Sequence, residues 1–166
     1  MLHRLSLITL FIGGLAAGAA QASTPDVAAR KDLTLALGNQ LAEATLSACH
    51  AQDRSAVVAV VDRSGRLMAL QRDDNVGPHN TLAAQRKAFT ALSTKTPTSE
   101  LARRAQGDPS SANLNTLDEL LLLGGGVPVV VEGQVVGALG VAGAGGSSID
   151  EGCAQSAIEQ LIQPNN

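Results

Sequence analysis

The sequence predicts a single α/β domain in which two β-hairpins form an antiparallel sheet covered by helices. Two pairs of apolar, β-branched runs, each pair separated by a short turn, predict the hairpins at residues 56–72 and 127–141. Segments with apolar residues at helical spacing precede, separate and follow these hairpins. The predicted order is therefore α-β-β-α-α-β-β-α, with helices burying at least one face of the sheet.

The first half of the chain shows a local signal for each element. Its predicted elements are a helix from 35 to about 51, strands at 56–61 and 66–72, and a helix at 81–92. Thr34 can cap the first helix, and Thr24 followed by Pro25 is an alternative start. The residues 62–65 open with Asp and close with Gly, which is typical of a turn between two strands.

The second half is less uniform. Its predicted elements are a helix from 96 to 104, an apolar segment at 113–123, strands at 127–132 and 134–141, and a helix from 148 to about 162. Thr96 and Pro97 are a cap and a first-turn proline, and Ser148 with Glu151 forms a capping box. The segment 113–123 suits a helix, or a buried strand over its last four residues.

The N-terminus has the pattern of a secretory signal peptide. A short basic region with Arg4 precedes an apolar stretch at 5–20, and a small-x-small site ends at Ala22. A membrane anchor is the alternative, but the stretch is short for a membrane span. We expect cleavage after Ala22 and a periplasmic or secreted product with no membrane span. Beyond the signal peptide at 1–22 we expect a loose lead-in at 23–33, the domain at 34–162 and a tail at 163–166.

Composition excludes several classes of function. The chain has 166 residues, of which 45% are hydrophobic and only 1% aromatic, and its net charge is −3. After signal cleavage Phe89 is the only aromatic ring, whereas a single-stranded nucleic-acid site needs several rings for stacking. The net negative charge also argues against nucleic acid as a partner. We find no nucleophile elbow, zinc-protease motif or Walker lysine, so we predict no catalytic residues.

The two cysteines allow two interpretations. Cys49 and Cys153 form an even pair, which in an oxidising compartment is typical of a disulfide. Two buried free thiols that behave as small apolar side chains are the alternative. The sequence alone leaves both open.

Histidine is the residue type here that best suits a metal or a haem iron, because neutral imidazole is a common ligand of both. His79 lies in a Gly-Pro-His-Asn loop before a predicted helix. We hypothesise that His79 is the ligand, although on the residues alone a solvated loop histidine is the favoured interpretation. His50 is the weaker candidate, because the helix dipole explains a cation at a helix end.

The sequence contains two candidate sites for binding the anionic groups of a ligand. Arg86 and Lys87 lie about one to two helical turns beyond His79 and could pair with carboxylates such as haem propionates, the alternative being a solvated helix face. The glycine-rich residues 143–147 precede a capped helix and could hold an anion on free N–H groups. A tight strand-to-helix turn is the favoured interpretation of that loop.

Several of these segments together resemble the GlcG/HbpS-type haem-binding family. Residues 58–67 are similar to the family's hairpin pattern V-x-V-V-D-x-x-G-x-L, and residues 87–91 to its K-A-x-T-A helix. Further matching segments follow in the family's order: residues 124–128, 133–137 and 140–143, then Asp150 and Glu151. The resemblance implies an α/β sandwich-like domain with a profilin-like outline, usually oligomeric, and non-covalent haem binding in some members. Related domains occur at the C-terminal end of certain corrinoid adenosyltransferases.

We therefore predict an exported, homo-oligomeric haem-binding protein for haem capture, storage or sensing, without turnover. His79 is the candidate axial ligand, Arg86 or Lys87 the candidate propionate partner, and Phe89 the one ring available to a haem otherwise lined by aliphatic side chains. One alternative is an enzyme or accessory protein that binds a small anionic metabolite at the glycine loops. Another is a structural oligomerisation domain with no ligand.

Overall fold

The structure, a computed structural model, describes residues 28–162. The predicted signal peptide with its cleavage after Ala22, the start of the lead-in and the tail lie outside the described residues and stay predictions. The elements follow in the order α1 (Leu35–His50), β1 (Val57–Asp62), β2 (Leu67–Arg72), α2 (His79–Thr94), α3 (Thr98–Gly107), α4 (Pro109–Ala112), a 3₁₀ turn (Asn113–Thr116), β3 (Gly126–Val131), β4 (Gln134–Ala142) and α5 (Ser147–Ile162). The predicted fold class and order are confirmed.

Several elements differ from their predictions. Helix α3 begins at Thr98 with Pro97 as its N-cap residue, rather than after a Thr96 cap, and it extends to Gly107. Helix α5 begins at Ser147 rather than at Ser148. Helix α2 begins at His79 rather than at residue 81, because Pro78 has helical backbone angles and the Asn80 N–H donates to Gly77 O at 3.0 Å. The segment 113–123 is neither a full helix nor a strand beyond its 3₁₀ turn. Its backbone instead bonds to α2, since Leu121 N donates to Thr90 Oγ1 at 2.8 Å.

The four strands form one antiparallel sheet in the order β2-β1-β4-β3. Strand β1 is central and covered on both faces, which explains its unbroken apolar run where a half-exposed strand would alternate. Helices α1 and α5 pack on one face of the sheet, and α2 packs on the other. Among the described residues no helix is both long enough and apolar enough to cross a membrane.

The face under α2 is built from small side chains. Ala138, Gly140 and Ala142 of β4 line it, and Ala84 and Ala88 of α2 are fully buried there. A Cβ at Gly140 would collide with the Ala84 carbonyl oxygen. The helix backbone therefore lies directly on the sheet, and its opposite side is left to face the surroundings.

A disulfide joins the two helices on the other face. Cys49 near the end of α1 and Cys153 in α5 are bonded, with their Cα atoms 5.3 Å apart. Both residues are fully buried within the main apolar cluster. Of the two interpretations that the sequence left open, the structure has the disulfide.

Candidate functional site

Helix α2 carries the four residues predicted to bind a cofactor, and the helical geometry places them on two different faces of the helix. At 3.6 residues per turn, His79 and Arg86 share one face of the helix and lie about 10 Å apart along its axis. Lys87 points to the sheet and is only 2% exposed. Phe89 is half-buried beside Arg86. The helix thus has an outer face with His79, Arg86 and Phe89 and an inner face with Lys87.

Two cavities lie on either side of this outer face. The first, which we term the Phe89 cavity, encloses about 440 Å³ and is lined by Val61, Gly65, Leu67, Leu82, Gln85, Arg86, Phe89, Asp118 and Glu119. The second, the glycine-loop cavity, encloses about 400 Å³, and its lining includes His79, Ala83, Lys87, Leu123, Gly143, Ser147 and Asp150. The structure therefore brings Arg86 and Phe89 together and places His79 at the neighbouring cavity.

The Phe89 cavity combines apolar walls with one cation, Arg86, and two acidic residues, Asp118 and Glu119. Leu82 of α2 is 61% exposed and Leu67 of β2 is 47% exposed, and both border it. Arg86 Nη2 donates to Leu120 O at 2.5 Å, whereas its Nε is shielded from solvent and has no hydrogen-bond partner within residues 28–162. An orphaned buried donor of this kind costs about 1–3 kcal/mol.

His79 is the first residue of α2, and its side chain is exposed. Its ring forms no hydrogen bond or ion pair with another described residue, so both nitrogens remain free to bind a ligand. Gly77 makes room for the ring, because a Cβ there would lie 3.0 Å from His79 Cε1.

His50 differs from His79 in having a partner. Its Nε2 lies 2.9 Å and 3.0 Å from the two carboxylate oxygens of Asp73. The same carboxylate accepts the Ala56 N–H at 2.8 Å. His50 is also the last residue of α1, as the helix-dipole interpretation expects. An iron or metal at His50 would have to displace the Asp73 contact.

Lys87 belongs to a buried ion pair. Its Nζ donates to Asp150 Oδ2 at 2.8 Å and to Val141 O at 2.9 Å, while Asp150 Oδ1 accepts the Ala144 N–H at 2.9 Å. The pair joins α2, β4 and the glycine loop, which is a structural position and not that of the accessible cation expected for a propionate. The sequence does carry a signal for it, since Ala84, Lys87 and Ala91 recur at helical spacing on the sheet-facing side.

The sequence predicts that Glu151 forms a capping box with Ser148, but Glu151 is a second buried carboxylate whose hydrogen bonds go to other elements. Glu151 accepts the Ser99 hydroxyl at 2.6 Å, the Ser99 N–H at 3.2 Å and the Gly125 N–H at 3.3 Å. It therefore caps the start of α3 and fixes the turn before β3. No described group of three or more His, Cys, Asp or Glu residues could hold a metal ion.

Comparisons with known proteins agree with this fold. A family model described as "Haem degrading protein HbpS-like" matches residues 33–159. Protein GlcG of Escherichia coli K12 is 35% identical over 109 residues, covering 63% of this chain and 80% of GlcG. A crystal structure of a double mutant of HbpS from Streptomyces reticuli is 37% identical, covering 88% of this chain and 98% of that one, with a TM-score of 0.78. A crystal structure of a PduOC–haem complex is 27% identical, covering 77% and 94%, with a TM-score of 0.70.

Proposed function

Because this chain belongs to the HbpS-like family, we propose that it is a haem-binding protein that acts outside the cytoplasm. The observation that carries the proposal is the outer face of α2. An imidazole without a partner among residues 28–162, apolar side chains and an incompletely bonded guanidinium lie there on one helix. These are the three kinds of group that a haem needs, because it has an iron, a large apolar ring and two carboxylates.

The residues present fit haem in chemical type. In this proposal His79 would hold the iron, Leu82 and Phe89 would contact the apolar ring, and Arg86 would pair with a haem carboxylate. Arg86 is a better propionate partner than Lys87, whose charge is already balanced by Asp150. When bound, haem supplies an iron centre whose behaviour depends on its axial ligand and on the polarity of its pocket. The protein's residues would bind and orient it and partly exclude water.

We further propose that the protein is exported and captures, stores or senses haem in the periplasm or outside the cell. The buried disulfide supports an oxidising compartment, since such bonds are rare in the reducing cytosol. The exposed leucines beside the Phe89 cavity support a homo-oligomer, in which a second copy would cover part of this apolar surface.

A haemin titration followed by the Soret band tests the proposal. We expect saturable binding to the oxidised mature protein, and loss or a marked shift of the band in His79→Ala. His50→Ala is the matched control, because it removes an exposed imidazole that already contacts Asp73, and it should bind as the unchanged protein does. Equal spectra for His79→Ala and the unchanged protein would remove His79 from the site. No saturable binding by any of these proteins would refute haem binding itself.

The glycine-loop cavity favours a second candidate, a protein that binds a small anionic metabolite. The N-termini of α2 and α5 both border this cavity, and Gly143, Gly145 and Gly146 have positive φ angles of 101°, 109° and 149° that direct backbone groups into a turn. Helix N-termini favour anions. If haemin does not bind while small carboxylates shift NMR signals of this loop, the second candidate replaces the first; if neither binds, a structural domain without a ligand remains.

A further inference from the structure

A third cavity lies on the far side of Phe89 and is lined by cations. We call it the cationic cavity; it encloses about 380 Å³, and its lining includes Arg30, Arg63, Ser64, Phe89, Leu92 and Lys95. No Asp or Glu lines it. Within the described part of the chain, none of its three cations lies within ion-pair distance of a carboxylate. Three positive charges around one cavity repel each other, and an anion between them would remove that repulsion.

One of these cations, Arg63, is held in place by hydrogen bonds. Arg63 lies in the β1–β2 turn, and its Nη1 donates to Lys31 O at 3.1 Å and to Gln134 Oε1 at 3.4 Å. The acidic groups nearby are already in use. Asp32 accepts backbone N–H groups, that of Arg63 among them, and Glu132 pairs with Lys31. The guanidinium is therefore fixed before any ligand arrives, which lowers the entropy lost on binding.

A structural explanation covers only part of the cationic cavity. Lys95 follows the end of α2, where the helix dipole favours a cation. That effect does not account for Arg30 or Arg63, which come from the lead-in and from a strand turn. The cavity also has apolar walls in Phe89, Leu92 and Val135. A ligand that matches both features has an anionic end and an apolar body.

We propose that the cationic cavity binds the carboxylate end of a ligand whose apolar part packs against Phe89. The carboxylates could belong to a free organic acid or to a haem. The free acid is favoured, because His79 and Lys95 lie at opposite ends of α2, about 24 Å apart along the helix axis. A haem held through its iron by His79 would not extend that far. The two proposed sites border the same Phe89 ring, but the cations of the cationic cavity are not part of the proposed haem site.

The first experiment titrates benzoate into the isotope-labelled, oxidised mature protein and follows amide NMR signals. We expect saturable shifts at Gly65 and Ser93, which line the cavity. The double variant Arg63→Gln/Lys95→Gln should weaken benzoate binding by about tenfold or more, because it removes two charge-assisted contacts. Arg103→Gln is the control: it removes an exposed cation of α3 outside the cavity and should bind benzoate normally.

The second experiment distinguishes the source of the carboxylates by titrating haemin and its dimethyl ester. If the double variant weakens only benzoate, the site takes a free organic acid. If it weakens haemin but not the ester, the carboxylates are those of haem. If it changes neither benzoate nor haemin binding, or if Arg103→Gln has an equal effect, the proposal is overturned. Lys95→Gln alone keeps the test valid if loss of the Arg63 hydrogen bonds perturbs the fold, because no side-chain hydrogen bond of Lys95 is present in the described structure.

Discussion

Reduction of the disulfide should destabilise this protein strongly while leaving its native structure in place. Cys49 and Cys153 tie α1 to α5, and both are fully buried in the apolar cluster on that face of the sheet. Two reduced thiols can remain there as small apolar side chains. We therefore expect the effect to arise mainly in the unfolded chain, which gains freedom when the bond is cut.

The magnitude follows from the length of the loop that the bond closes. The two cysteines are separated by 104 residues. In the chain-entropy model, a loop of that length removes about 16 cal/mol/K from the unfolded chain, or about 4.7 kcal/mol at 25 °C. A typical domain is stable by only about 5–15 kcal/mol, so reduction should remove about a third or more of the total.

Urea unfolding with and without reductant measures this difference. With an m-value near the middle of the usual range of about 1–3 kcal/mol per M, the midpoint should fall by about 2 M. The Cys49→Ala/Cys153→Ala variant is the control, and reductant should not change its midpoint. A loss below about 1 kcal/mol on complete reduction, with an unchanged m-value, would show that loop closure contributes little and that the reasoning is wrong.

Three further predictions test the packing and the polar contacts around the site. Gly140→Ala should lower the free energy of unfolding, measured in urea, by about 1–3 kcal/mol, because the new Cβ collides with Ala84 O. Gly107→Ala is the control and should have no such effect, because no atom lies within reach of its Cβ. Equal effects of the two variants would contradict close packing of α2 on the sheet. Lys87→Met should cost about 3–5 kcal/mol by leaving Asp150 buried without its partner. Adding Asp150→Asn should recover much of that loss, and no recovery would show that the lysine acts through packing alone. Hydrogen bonds from the hydroxyls of Ser110 and Ser111 and from the Ser110 N–H lower the pKa of Asp108. Because the pKa of Asp108 is lower in the folded protein, this stabilisation is present above the ordinary aspartate pKa and is lost as pH falls through the folded pKa. A pH titration of the Asp108 carboxyl NMR signal should show the lowered pKa. An unchanged titration in Ser110→Ala would contradict the assigned cause.

The hairpins could be predicted from the sequence because each rests on short-range signals. The turn residues 62–65 and the flanking β-branched runs lie within a few residues of each other. The order of the strands could not be predicted in this way. Strands β1 and β4 pair across about 80 residues, with Ala59 opposite Gly140. That pairing joins distant parts of the chain, and so does the close approach of α2 at Gly140; only the packed structure makes either visible.

The segment 113–123 shows why local patterns fail when tertiary contacts compete with them. Its leucines suit a helix, and its last four residues suit a strand. Thr90 and Arg86 of α2 instead bind backbone groups of Leu121 and Leu120. Each contact satisfies a polar group that a helix or a strand would otherwise have satisfied. The segment therefore has no need of regular structure, and it lies across α2 beside the Phe89 cavity.

Only the part of the candidate site that lies on helix α2 could be predicted from the sequence. His79, Arg86 and Phe89 lie close in sequence, and helical geometry places the first two on one face. The cationic cavity, by contrast, collects Arg30, Arg63 and Lys95 from three separate parts of the chain. No spacing rule relates such residues, so only their arrangement in space identifies them as one cluster.

Packing decides which side of α2 can bind a ligand. On the inner side, Gly140 lies against the backbone of the helix, and Lys87 is already bonded to Asp150 and to β4. The space that remains beside Lys87 is the glycine-loop cavity, which opens near the start of the helix. A ligand as large as haem would therefore approach the outer side, where Leu82 is exposed and His79 has no partner among the described residues. The alanines that hold the helix so close to the sheet thus also determine where haem could bind.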